Sequence, residues 1–165
     1  MAIDYFAQSE KYRPVTITTL LIGEAPPSSG KRYFYLPQKM SDARPIKGDT
    51  SLPATVFYHY FQRRPTTEDE YEALLVRLQK AGIFLLDICD EPIKVRGDKQ
   101  GVQRIIGEVS NLRGKIESRG IWVSDQDIVF LLARKNYLKH IRHEFPDSQH
   151  IRWIDFRMNP KRLSH

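Results

Sequence analysis

The sequence predicts an α/β fold built on a parallel sheet, and three observations lead to this class. Short apolar runs alternate along the chain with longer segments in which apolar residues recur every three or four positions. The connections are mostly short, which favours parallel strands joined by right-handed crossovers, with helices on both faces of one sheet. The length of 165 residues matches one typical domain, so we expect a single domain over residues 1–165.

The first strand is predicted at residues 15–22, because the run VTITTLLI is β-branched and apolar and stops at Gly23. Residues 37–53 are rich in Pro, Gly, Ser and Asp and should form a long loop. A helix over residues 53–61 would follow, with proline in its first turn and Pro65 beyond its end.

The next helix carries the strongest local signals. Thr67 to Glu70 has the form of a capping box. Helical spacing then relates the apolar residues Tyr71, Leu74, Leu75 and Leu78. Gly82 supplies a stop signal, and the continuous apolar run at residues 83–89 predicts a second strand that is buried on both faces.

The remaining elements repeat this alternation. Apolar residues at helical spacing over 102–116 predict a long amphipathic helix that closes near Gly120. A third strand is expected at 127–133, a short helix at 136–145 and a fourth strand at 150–156.

Composition narrows the class of protein. Hydrophobic residues make up 41% of the chain, as in a packed globule. No apolar run approaches the roughly 20 residues of a membrane span, and the first residues do not resemble a signal peptide. We therefore expect a cytoplasmic protein with no membrane partner, and a monomer, since the length permits a core of its own. The single cysteine, Cys89, excludes sites built from several thiolates, and no metal or cofactor is expected.

The formal net charge of +6 is unevenly distributed. Residues 1–98 carry 13 Lys and Arg against 13 Asp and Glu, whereas residues 99–165 carry 13 against 7. Clustered cations bind phosphates and release their counterions, so DNA is a candidate partner. The alternative is that the charge serves solubility alone.

The loops after the strands hold the candidate chemistry, because ligands of open parallel sheets bind beyond the carboxyl ends of the strands. The first loop starts with Gly23 and later contains Gly30 and Lys31, which invites comparison with a phosphate-binding P-loop. The comparison fails because six residues separate the glycines where four are required, and because Arg32 replaces the Ser or Thr that binds Mg²⁺. The sequence thus argues against a nucleoside triphosphatase.

Three segments together resemble the uracil-DNA glycosylase superfamily. They are a strand followed by Gly-Glu-Ala-Pro at residues 23–26, an aromatic triplet at residues 33–35, and a buried strand running into LLDICDEPI at residues 85–93. Within that superfamily, the chain is most similar to small glycosylase-like proteins that carry GEAPP, YFY and LLDICDEPI segments. The resemblance implies a three-layer α/β/α fold with a four-stranded parallel sheet in the order 2-1-3-4, which grips DNA and flips one nucleotide into a pocket.

Glu24 occupies the motif position that the resemblance assigns to catalysis. A glycosidic bond breaks through an oxocarbenium-like sugar, so a carboxylate near the anomeric carbon can stabilise that charge or orient water. The alternative role of Glu24 is to cap nearby backbone amides. The activity implied is hydrolysis of the N-glycosidic bond of a deaminated base in DNA.

The resemblance also assigns substrate-binding positions. Gly23, Ala25 and Pro26 complete the motif around Glu24. Phe34 is the candidate for stacking on the flipped base, although aromatic triplets most often pack in a core. Asp87 stands where relatives place an Asn or Asp that reads the base edge, and its alternative role is to cap a neighbouring loop.

The C-terminal part departs from the family pattern. Active relatives carry a His-Pro-Ser type loop, whereas this chain has RMNPK at residues 157–161. Arg157 or Asn159 could donate a hydrogen bond to the departing base in its place. Two further hypotheses therefore stay open: a catalytically inactive module that binds nucleic acid or a nucleotide, and an interaction protein whose basic surface meets an acidic partner.

Overall fold

The computed structural model describes residues 3–27, 32–40, 51–93, 98–132 and 137–152. Its helices are α1 (Tyr5–Glu10), α2 (Leu52–Phe61), α3 (Glu68–Lys80), α4 (Asp98–Ser118) and α5 (Leu138–Glu144). Its strands are β1 (Thr19–Gly23), β2 (Ile83–Asp87), β3 (Ile128–Leu132) and β4 (Gln149–Arg152). None of the helices within these ranges is long and apolar enough to cross a membrane.

The strands form one sheet in the order β2-β1-β3-β4, and every neighbouring pair is parallel. The predicted α/β class and the parallel pairing of the first two strands are confirmed. Along the sheet, β2 lies on one side of β1, and β3 and β4 lie on the other side. Right-handed crossovers in these two directions place α3 on one face of the sheet and α4 and α5 on the opposite face. Many parallel folds share this arrangement, so the order alone does not assign a glycosylase.

The first strand is shorter than predicted. It begins at Thr19 rather than at residue 15, and Val15 is fully exposed. The backbone amides of Thr18 and Thr19 both donate to the Gly82 carbonyl, at 2.8 and 3.2 Å, where β2 is about to start. Residues before Thr18 therefore have no β2 partner, and a strand needs a partner more than it needs β-branched residues.

Other predicted boundaries also change. The second strand ends at Asp87 and the third at Leu132, earlier than predicted. The fourth is described over Gln149–Arg152, and residues 153–156 lie outside the described residues. Most of the predicted 37–53 loop lies outside them as well.

The start and end of α3 follow from identifiable contacts. The Thr67 hydroxyl accepts a hydrogen bond from the Glu70 amide at 3.1 Å, as the capping box predicts. The Glu70 carboxylate accepts from the Thr66 amide at 2.9 Å, and this bond lowers the pKa of Glu70. Beyond α3, Gly82 has φ +78°, and a Cβ there would lie 2.6 Å from Thr18 Oγ1, so only glycine fits.

The helix α1 was not predicted from the sequence. The helix has six residues, and Ser9 is its one buried residue. Such a short element cannot show apolar periodicity. It is held by tertiary contacts instead: Gln8 Nε2 donates to the Tyr35 carbonyl at 2.9 Å, and the Tyr33 hydroxyl donates to the Tyr5 carbonyl at 3.1 Å.

The Tyr35 hydroxyl forms hydrogen bonds with the outer edge of the sheet. Because β2 is an edge strand, its outward amides and carbonyls lack a neighbouring strand. The buried Tyr35 hydroxyl donates to the Leu85 carbonyl at 3.0 Å and accepts from the Leu85 amide at 2.6 Å. Burial raises the pKa of Tyr35 well above its ordinary value, so the hydroxyl keeps the proton that it donates.

We predict that Tyr35→Phe lowers the free energy of unfolding by about 2 kcal/mol or more, because it leaves two buried backbone groups of Leu85 unpaired at about 1–3 kcal/mol each. Urea unfolding monitored by circular dichroism measures this loss. The matched control is Tyr33→Phe, which removes a hydroxyl that contacts the Tyr5 carbonyl and Ser9 in a less buried place and should cost about 1 kcal/mol. Equal losses of unfolding free energy in both variants would contradict the role of Tyr35 in pairing the edge-strand backbone.

Candidate functional site

The carboxyl ends of β1 and β2 meet at Gly23 and Asp87, which are register partners. Backbone pairing continues past both strands, with the Ile88 amide donating to the Gly23 carbonyl at 3.0 Å and the Cys89 amide to the Glu24 carbonyl at 2.9 Å. The predicted catalytic residue Glu24 is thus held by the backbone next to the turn that follows Asp87.

Gly23 permits the approach of the Asp87 side chain. A Cβ at position 23 would lie 2.5 Å from Asp87 Oδ1 and 3.7 Å from Asp87 Cγ. No larger residue fits unless the carboxyl group moves. Gly23 is therefore needed in the motif because it lets the Asp87 carboxyl group lie close to the backbone.

A cleft of about 510 Å³ opens beside this sheet edge, between α1, the end of β2 and α4. Its walls mix carboxyl groups, cations and aromatic rings. The residues that matter below are Asp4, Tyr5, Phe6, Pro26, Tyr33, Asp87, Asp90, Glu91, Lys115 and Arg119.

Asp87 is the most perturbed acid of the cleft. The residue is partly exposed, but its Oδ1 is fully buried and has no hydrogen-bond partner among the described residues. Burial raises the pKa of Asp87 to about 7; the Lys115 ammonium opposes this effect, and the carboxylates of Glu24 and Asp90 add to it. The carboxyl group is therefore divided between its neutral and charged forms near neutral pH.

Arg119 also lines the cleft. Its guanidinium carbon lies 4.5 Å from the Phe6 ring centroid and 5.5 Å from that of Phe84. It also forms an ion pair with Glu10 and donates to Ser9 Oγ at 3.2 Å. Arg119 thereby links α1 to the turn that follows α4.

Only part of the predicted site lines this cleft. Pro26 and Asp87 line it, and so does Tyr33. The Glu24 side chain is not part of its wall, and Ala25 packs partly buried against the core.

Phe34 lies in the core, not in the cleft. It is 4% exposed, stacks on Phe57 at a centroid distance of 5.7 Å, and accepts a hydrogen bond on its carbonyl from the Tyr71 hydroxyl at 2.6 Å. Phe34 therefore follows the alternative given above for the aromatic triplet, which is packing in the core. Arg157 and Asn159 lie outside the described residues.

Two residues of the cleft, Lys115 and Arg119, were not predicted from the sequence. Lys115 lies between apolar positions in the last turns of α4 and Arg119 directly follows the helix, and at both places a lysine or arginine is ordinarily a solvated side chain. Only the packing of α4 against the end of β2 brings them to the strand ends. No local sequence signal could have identified them.

Among the described residues, no group of three or more His, Cys, Asp and Glu side chains could hold a metal ion. Burial raises the pKa of the Cys89 thiol to about 11, so the thiolate needed for nucleophilic attack is scarce at neutral pH.

Fold and site together define a parallel α/β protein with a carboxyl-bearing cleft at the strand ends. No family model, curated protein or solved structure matches the chain. Its function has to be inferred from the site itself.

Proposed function

We propose that this protein is a DNA glycosylase-like hydrolase that cleaves the N-glycosidic bond of a deaminated base in DNA. The observation that carries the proposal is that Glu24 and Asp87 follow one another across the paired ends of β1 and β2, close enough for the Glu24 carboxylate to raise the pKa of Asp87. One of them, Asp87, retains a proton over part of the neutral pH range.

The two carboxyl groups suit the two needs of this reaction. Breaking the bond between the anomeric carbon and the base leaves positive charge on the sugar, which the Glu24 carboxylate stabilises; water then adds to the anomeric carbon and loses one proton to the Glu24 carboxylate, which passes it to solvent. The departing base gains electron density, and the neutral carboxyl group of Asp87 supplies its proton or a hydrogen bond. A general acid works best when its pKa lies near the operating pH, as that of Asp87 does.

The cleft that Asp87 lines suits a base-sized ligand, and we place the sugar outside it, on the side of Glu24. Its volume of about 510 Å³ falls within the roughly 300–1,000 Å³ of small-molecule pockets. The rings of Tyr5 and Tyr33, with centroids 4.7 Å apart, give it an aromatic wall. Burial raises the pKa of the Tyr33 hydroxyl, so this hydroxyl stays uncharged.

A second candidate is a catalytically inactive module of the same fold that binds nucleic acid or a nucleotide. The core position of Phe34 favours it, because the predicted stacking residue is then not available to a flipped base. Binding to DNA that weakens steeply with added salt, with no base released, is the result expected of such a module.

Glu24→Gln should slow base release by about 10²-fold or more, because the neutral amide cannot balance the charge of the transition state. DNA affinity should change little, since that charge is absent from the ground state. Single-turnover assays with oligonucleotides containing uracil, hypoxanthine or xanthine measure the rate, and fluorescence anisotropy measures the affinity.

The control for this prediction is Glu117→Gln, which makes the same chemical change at an exposed position of α4. It should release base at the wild-type rate. Base release that is equally fast in Glu24→Gln and in the control would remove Glu24 from the mechanism.

A further inference from the structure

Lys115 contacts the turn after β2 at three points. Its Nζ donates to the Asp87 carbonyl at 2.6 Å and to the Ile88 carbonyl at 3.3 Å. It also forms an ion pair with Asp90, with Nζ 2.5 Å from Oδ1. The Lys115 side chain is 17% exposed, so its ammonium group is largely enclosed by these partners.

The carbonyl contacts contribute more to this arrangement than the ion pair does. The Asp90 side chain is 78% exposed, and water screens an ion pair with such a partner. A charged donor to a backbone carbonyl makes a stronger bond in a partly buried place. The outward Asp87 carbonyl also lies at the end of an edge strand, where it needs a donor from outside the sheet.

Acidic groups outnumber cations around the Asp87 carboxyl group. The titratable groups of the surrounding elements are Asp4 and Tyr5 on the α1 side, Glu24 after β1, Tyr33, and Cys89, Asp90 and Glu91 after β2. Among the described residues the cations there are Lys115 of α4 and Arg119, which directly follows α4 and is already paired with Glu10. Lys115 is therefore the cation with the most direct influence on Asp87 among the described residues.

We propose that Lys115 is the positioning residue of this site; the proposal rests on the function proposed above for Asp87. Lys115 fixes the turn from which the Asp87 side chain enters the cleft, and it places a positive charge beside that turn. Without this charge, burial and the neighbouring carboxylates act unopposed, and Asp87 retains its proton to higher pH. Lys115 thus sets the pH range over which the site holds a proton to donate.

The test is a ¹³C NMR titration of the Asp87 carboxyl carbon in the full-length protein. In the wild type we expect a midpoint near pH 7. Lys115→Met should raise the midpoint by about one pH unit, the lower end of the effect of a nearby opposite charge. Lys115→Arg keeps the charge and should restore a midpoint close to that of the wild type.

Two further variants make the result decisive. Lys99→Met removes an exposed cation from the same helix and should leave the midpoint unchanged. Asp90→Asn removes a neighbouring negative charge and should lower the midpoint, even if Lys115→Met does not fold. An unchanged midpoint in Lys115→Met or in Asp90→Asn overturns the proposal. The titration needs no activity, so the expected shifts without base release would refute the proposed function and leave this inference intact.

Discussion

Phe34→Ala is expected to lower the free energy of unfolding by about 3–5 kcal/mol, the usual cost of emptying a buried aromatic site. Phe34 is 4% exposed and packs against Phe57 and Tyr35, with ring centroids 5.7 and 4.9 Å away. For a domain of this size the loss corresponds to a fall in Tm of roughly 6–20 °C. Thermal and urea unfolding of the purified variant measure it.

Phe6→Ala is the matched control, because the Phe6 ring is 59% exposed. Its contact with Arg119 is worth about 0.5–1 kcal/mol at such a site, so the loss should stay below about 1 kcal/mol. A small loss of stability in Phe34→Ala together with a large loss of DNA affinity would contradict the core role. That outcome would restore the stacking role predicted from the sequence.

Asp87→Asn is expected to stabilise the protein at pH 8 and not at pH 4. The ordinary pKa of an aspartate in an unfolded chain is about 3.9, and in the folded protein that of Asp87 is about 7. Between these values the folded state binds more protons than the unfolded state, so wild-type stability falls as the pH rises. Asparagine has no proton to lose, and the variant avoids that loss.

The size of this effect should be on the order of 1–3 kcal/mol at pH 8, the cost of a buried group without a partner. Differential scanning calorimetry of both proteins from pH 4 to pH 8 measures the difference. Asp147→Asn, at an exposed position, should show no comparable pH dependence. A constant stability difference across this range would contradict the raised pKa of Asp87. A gain in stability on replacing a catalytic residue is typical of the trade-off between activity and stability.

Local patterns predicted the elements that depend on local chemistry. Thr67 and Gly82 were both recognisable in the sequence as the start and end signals of α3. The Thr67 hydroxyl accepts a hydrogen bond from a backbone amide of the first turn, and Gly82 adopts the positive φ of the turn after the helix. The central strands were predicted from continuous apolar runs. Their boundaries were less accurate, since the start of β1 depends on where β2 offers a partner.

The candidate site was predictable only in part. The rule that ligands bind at the carboxyl ends of parallel strands brought the Gly23 loop and Asp87 to one edge, and the structure pairs them directly. Lys115 follows Asp87 by 28 residues in the sequence, and α1 is too short to show a pattern. Packing between elements that are distant in the sequence forms the part of the cleft made by α1 and Lys115. A local sequence pattern cannot predict such packing.

The pH dependence of single-turnover base release from DNA shows whether Asp87 and Glu24 act together on a glycosidic bond. We expect wild-type protein to release a deaminated base at a rate that falls as the pH rises through about 7, where Asp87 loses its proton. Asp87→Asn should lose most of the rate and also this dependence. A folded wild-type protein that releases no base at any pH, or an Asp87→Asn variant with the wild-type rate and profile, would contradict the account.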